Sequence, residues 1–218
     1  MNLPNKLTII RLLLIPVFVA LFFVEFTGHV FVALGVFVLA CLTDFLDGYI
    51  ARKYNLVTDL GKFLDPIADK VLVMAALVLL CITGRELTML YAIGTIIILA
   101  REFIVTGFRT IAAGKNIVLA ADNLGKIKTN FQMFAIIFLL PVNTLYALGD
   151  KAVIIALTVM VVGLVCFIMS LVFAILSATN YITKNVAVLK EDKAEIKSES
   201  VENDVIAEGL ETAEEKQE

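Results

Sequence analysis

The chain has 218 residues, of which 60% are hydrophobic, and a mean hydropathy of +0.94, which excludes a soluble globular domain and indicates an integral membrane protein. Its formal charge of −3 is unevenly spread: residues 1–184 carry 14 basic and 10 acidic side chains, whereas 185–218 carry 4 and 11. A basic membrane body suits anionic headgroups and phosphorylated substrates, and the absence of basic or aromatic surface motifs argues against nucleic acid as a partner.

No segment alternates apolar and polar residues as a membrane β-barrel would, so the expected fold is all-α. Residues 1–184 should form one polytopic bundle of six transmembrane helices, and 185–218 an acidic tail, disordered or weakly helical. The opening run MNLPNKLTIIRLLLIPVFVALFFVEF sets basic residues before an apolar stretch but lacks an A-x-A-like cleavage site, so it reads as an interfacial start rather than a signal peptide. Pro4 fits the first helical turn, and a first span is expected at about 8–26. Asn5, Thr8 and Arg11 recur every third residue and drift slowly around that helix. They either look toward a site or cap and anchor the helix.

A second span, about 30–51, follows Thr27-Gly28-His29, which leaves the only histidine in a loop at the far end from Asp44. A third, about 60–82, can be capped by Thr58 or Asp59 and has Pro66 close enough to its start to be tolerated. The fourth, about 87–112, carries Arg101, Glu102 and Arg109; charges at such depth rarely face lipid. Arg101 and Arg109 stand about 80° apart around the helix, so both can point into one cavity. Glu102 can pair with Arg109 or with a cation of a neighbouring helix. The fifth helix opens at Asp122 and reaches about Leu140, with Lys126 and Thr129 sharing a face at its partially positive end. After Pro141 and Asn143 a loop leads to a sixth span at about 150–182. Cys41, Cys81 and Cys166 lie in apolar segments without CxxC spacing and read as core residues.

The chemistry concentrates between the second and third spans, where the spacing runs Asp44-x2-Asp47-Gly48-x2-Ala51-Arg52-x8-Gly61-x3-Asp65-x3-Asp69. At about 100° per residue each half falls on one helical face, and Asp65 and Asp69 lie roughly 6 Å apart along their axis. Carboxylates gathered in an apolar setting repel one another unless cations neutralise them, and hard oxygen ligands select magnesium, manganese or calcium. Two such ions can clamp a diphosphate, which suggests phosphoryl-type transfer. Gly48, Ala51 and Gly61 lack bulk and would let a nucleotide approach the backbone; Arg52 could pair with a phosphate oxygen.

Those eight fixed positions over 26 residues resemble, without exception, the signature of the CDP-alcohol phosphatidyltransferase family. The resemblance implies transfer of a phosphatidyl-type group from a CDP-linked donor to an alcohol with release of CMP. Carried over by position, Asp44, Asp47 and Asp65 would bind metal, and Asp69 would help hold the second of two Mg2+ or Mn2+ ions and act as general base. Gly48, Ala51, Arg52, Gly61, Asn5 and Thr8 would hold the donor, CDP-diacylglycerol; the run P-N-x-L-T-x-x-R is typical of bacterial members. Arg101, Arg109, Lys126 and Lys128, with Thr129, make a cationic set dense enough to call for an acceptor bearing a phosphate. The runs around Arg101, Lys126 and Asp69 look like the bacterial branch that forms phosphatidylglycerophosphate, implying sn-glycerol 3-phosphate as acceptor and a homodimer.

Two other readings remain: a sibling enzyme using inositol phosphate, serine or phosphatidylglycerol, and a divalent-cation transporter. The acidic residues gather at one end without an inverted repeat, which weighs against the transporter. Lys6, Arg11, Arg52, Lys53, Lys62, Arg109, Lys115, Lys126, Lys128 and Lys184 fall on one side, against Arg85 and Lys151 on the other. By the positive-inside rule both termini and the site face the cytoplasm of a bacterial cell membrane.

Overall fold

The computed structural model describes the backbone of residues 3–54, 59–114 and 123–214, and side chains within 5–44, 61, 64–114 and 124–184. The elements in chain order are α1 (Leu3–Phe23), α2 (His29–Tyr54), α3 (Asp59–Thr83), a 3-10 turn (Arg85–Leu87), α4 (Thr88–Gly114), α5 (Asn123–Leu139), α6 (Val142–Ala147) and α7 (Asp150–Glu214). Asn5–Phe23, Leu64–Thr83, Arg85–Gly114, Leu124–Ala147 and Asp150–Lys184 are long and apolar enough to cross a bilayer, and α2 adds the shorter apolar stretch His29–Asp44. The protein is an all-α polytopic membrane protein.

The core is built where aromatic side chains meet small ones. Phe18 and Phe22 of α1 pack against Ala33, Phe37 and Ala40 of α2, with the Phe18 and Phe37 rings 5.6 Å apart. Leu72, Ala76, Leu77 and Leu80 of α3 continue this core to Ala135, Ile136 and Leu139 of α5. On α4, Tyr91 meets Phe167 of α7 edge-on at 5.4 Å. Leu13, Ile96, Phe103 and Ile154 point outward, where lipid is the matching solvent. Since lipid tails are as apolar as these side chains, association of the helices rests on close packing and hydrogen bonds rather than on expulsion of water.

Backbone groups freed at helix ends find partners. Asn143 Nδ2 donates to the Thr83 carbonyl at 2.6 Å, tying α6 to the end of α3. His29 opens α2 rather than lying in a loop, its Nδ1 2.9 Å from the Phe26 carbonyl. Pro66 sits within α3 without ending it. The suggested caps Thr58 and Asp122 lie outside the described residues.

The backbone of α7 is helical through 65 residues to Glu214, past the end of the apolar span. Residues 185–214 contain no proline and are rich in Glu, Lys and Ala, which keep helical geometry at little cost.

Close approach of α5 and α7 depends on Gly163, where an added methyl would stand 2.7 Å from Leu139. Gly163→Val should cost about 1–3 kcal/mol, seen as a lower thermal midpoint of the detergent-solubilised protein. Gly107→Ala, whose methyl would meet nothing within 4 Å, should leave that midpoint unchanged or raise it.

Candidate active site

Helix α1 packs against both α2 and α3, and its slow polar spiral serves both. Asn5, Thr8 and Arg11 are all buried. Thr8 Oγ1 donates to Asp65 Oδ1 at 2.6 Å, and Arg11, fully buried, forms an ion pair with Asp44, whose side chain is 39% exposed. Of the two open readings for these residues, Thr8 and Arg11 thus face the carboxylates. A buried guanidinium at this depth needs such a partner. Gly61 is buried at the start of α3. Asp47, Gly48, Ala51 and Arg52 belong to the last turns of α2, but their side chains lie outside the described residues.

Asp69 connects two groups of charges: it is within electrostatic range of Asp44 and Arg11 and also of Glu102 and Lys128. The second group is assembled by α4, α5 and α7. Lys128 Nζ donates to Glu102 Oε1 at 2.5 Å, and Arg101 Nη1 reaches the same oxygen at 3.0 Å. Arg101 Nη2 continues to Ser177 Oγ of α7 at 2.5 Å. The glycine at 125 makes this possible, because a methyl there would stand 2.9 Å from Arg101 Nη2. The partner of Glu102, undecided from spacing, is therefore its own neighbour together with Lys128 on α5.

Asp69, Lys70, Glu102, Lys128, Thr129 and Gln132 line a cavity floored by apolar residues such as Val73 and Ile98. Thr129 uses its hydroxyl to donate to the Gly125 carbonyl at 3.0 Å. Of the expected acceptor residues, Lys128 and Thr129 line this cavity and Arg101 joins it through Glu102. Lys126 and Arg109 are exposed. Arg109 lies over the Tyr181 ring, 5.7 Å from its centroid, one turn beyond Ser177 on α7, so both arginines of α4 face that helix without sharing one pocket. Lys70, Glu102, Gln132 and Ser177 were not expected at the site. For Lys70 the signal was its position directly after Asp69; Gln132 and Ser177, single polar residues in apolar helices, gave a weaker one.

Among the described residues no three His, Cys, Asp or Glu side chains close into a metal cluster, and Asp47 is not among them. The donor chemistry still fits a divalent cation: Asp44, Asp65 and Asp69 offer only hard carboxylate oxygens, and Asp44 stays partly exposed.

A profile of the CDP-alcohol phosphatidyltransferase family matches residues 1–169. The chain belongs to this family. It is 45% identical to the CDP-diacylglycerol–glycerol-3-phosphate 3-phosphatidyltransferase of Bacillus subtilis, over 64% of this chain and 76% of that protein. It is 34% identical to the protein of the same name from Wigglesworthia glossinidia brevipalpis, over 83% of this chain and 93% of the relative. A cardiolipin synthase (CMP-forming) of Oryza sativa subsp. japonica is 41% identical over 64% of this chain and 46% of its own length. Membership of a transferase family sets the transporter reading aside.

Within this family member, the Glu102–Lys128 pair is a sensitive point, since removing one partner of a buried pair leaves an uncompensated charge. Glu102→Leu should cost about 3–5 kcal/mol in thermal unfolding, whereas Glu102→Leu combined with Lys128→Met should recover part of that loss, Arg101 alone having lost its carboxylate. Independent, additive losses in the double variant would show that the two side chains do not depend on each other.

Proposed function

We propose that this chain transfers the phosphatidyl group of CDP-diacylglycerol to sn-glycerol 3-phosphate, giving phosphatidylglycerophosphate and CMP. The observation that carries the reading is the position of Asp69, between the carboxylates near α1 and the cationic cavity of α4 and α5. The names borne by the bacterial relatives support it. The cations in and around the cavity favour an acceptor with a phosphate over serine.

Asp44, Asp47, Asp65 and Asp69 would hold two Mg2+ or Mn2+ ions, which when bound neutralise the donor's diphosphate. Asn5, Thr8, Gly48, Ala51, Arg52 and Gly61 flank the donor; Thr8, through its bond to Asp65, fixes the orientation of that carboxylate. Asp69 accepts the proton of the acceptor hydroxyl. The freed oxygen forms a bond to the phosphorus that bears diacylglycerol, the bond from that phosphorus to the CMP oxygen breaks, and CMP leaves. No side chain needs to carry a covalent intermediate. Arg101, Lys128 and Thr129 receive the acceptor, while the exposed Lys126 and Arg109 raise the local concentration of anions. The excess of basic residues at this end of the helices favours a cytoplasmic mouth, with residues 1–184 as the membrane domain of a homodimer in a bacterial cell membrane.

CMP release by the purified protein with CDP-diacylglycerol and magnesium should require glycerol 3-phosphate and should not be supported by serine or inositol phosphate. Release with another alcohol alone would overturn the acceptor. Chelation with EDTA should stop turnover, and Mg2+ or Mn2+ should restore it. Asp69→Asn should lower kcat by about 10²–10⁴-fold while leaving donor binding largely in place; near-normal turnover would remove Asp69 from the role of base.

A further inference from the structure

We propose that Lys70, the residue after the last aspartate of the signature, binds the phosphate of the acceptor and thereby sets its hydroxyl beside Asp69. The inference rests on the phosphatidyl-transfer reading and assigns a residue to its acceptor site. The cavity next to Asp69 is lined by two ammonium groups, Lys70 and Lys128, and they differ in how they are compensated. Lys128 is bound to the Glu102 carboxylate at 2.5 Å, and Arg101 to the same oxygen. Lys70 Nζ instead donates to a neutral group, the Thr106 hydroxyl, at 2.5 Å. That hydroxyl in turn donates to the Glu102 main-chain carbonyl at 2.6 Å, so it is a fixed acceptor that positions the ammonium without neutralising it.

An ammonium within the span Leu64–Thr83 that faces a cavity and has, among the described residues, only a neutral hydrogen-bond partner has an unmet demand for an anion. It also has donors to spare, since a lysine offers three and Thr106 takes one. A phosphate monoester entering the cavity meets carboxylate-bound cations on α4 and α5 and an uncompensated one on α3. Because Asp69 and Lys70 line the same cavity, a phosphate held by Lys70 keeps a short acceptor within reach of the base.

The phosphate that Lys70 holds could belong to the acceptor or to the donor's diphosphate, and steady-state CMP release by the full-length protein separates the two. Lys70→Met should raise the KM for glycerol 3-phosphate by about tenfold or more, the loss of one charge-assisted hydrogen bond. The KM for CDP-diacylglycerol should stay within about twofold, and kcat should change little, as for removal of binding common to ground and transition states. Lys70→Arg should recover most of the affinity, and competitive inhibition by inorganic phosphate should weaken in Lys70→Met in step with the acceptor. A rise in donor KM alone, an equal rise in both, or no change in either would overturn the assignment. Thr106→Val keeps the charge and removes only its neutral partner, so it should leave the acceptor KM unchanged or lower. A rise matching that of Lys70→Met would mean that the hydroxyl, not the ammonium, meets the phosphate. Wild-type protein that releases no CMP with glycerol 3-phosphate would instead remove the underlying reading.

Discussion

Much of this structure depends on compensating charge inside an apolar bundle, and the Arg11–Asp44 pair is its clearest case. A fully buried guanidinium at membrane depth must be met by an anion, and Asp44 supplies it from the neighbouring helix. One turn earlier, Thr8 takes hold of Asp65 on α3. These two contacts fix α1 against both halves of the motif, so a helix that contributes no carboxylate determines how the carboxylates are presented. The apolar contacts behind them, such as Phe18 on Phe37, hold the helices at the spacing those bonds require.

The site then divides its electrostatics by helix. Carboxylates come from α2 and α3; cations come from α1, α4 and α5, with Lys70 on α3 itself, and Glu102 limits the field of the cations nearest to it. Asp69 stands in reach of both groups. Gly125 contributes through its missing side chain, leaving the space through which Arg101 reaches α7. A single carboxylate oxygen shared by Lys128 and Arg101 ties α5 to α4, and the bond from Arg101 to Ser177 adds α7.

The order and approximate bounds of the helices were legible because long apolar runs and charged punctuation suffice to define spans. The motif was legible because its spacing follows one helical period, so Asp44, Asp65 and Asp69 could be named without a fold. What spacing cannot carry is rotation of one helix relative to another. Lys126 and Lys128 read as equivalent cations, yet one is exposed and the other buried against Glu102. Arg101 and Arg109 both face α7, at Ser177 and Tyr181, which the angle between them permitted but did not specify. Polar composition describes the cost of burying a segment, whereas backbone helicity, which runs on to Glu214, also follows from local propensity in the absence of proline.

The sharing of Glu102 also bears on how the chain enters the membrane. Arg101 and Glu102 are adjacent on α4 and 3.0 Å apart, so Arg101 has its counter-charge on its own helix. Lys128 has no carboxylate on α5, whose first turns read Asn-Leu-Gly-Lys-Ile-Lys. Its ammonium, buried in those first turns, needs a counter-ion from another helix. Since α4 precedes α5 in synthesis, Glu102 is in place when Lys128 arrives. The N-to-C order of the helices therefore supplies the carboxylate of this pair before its ammonium.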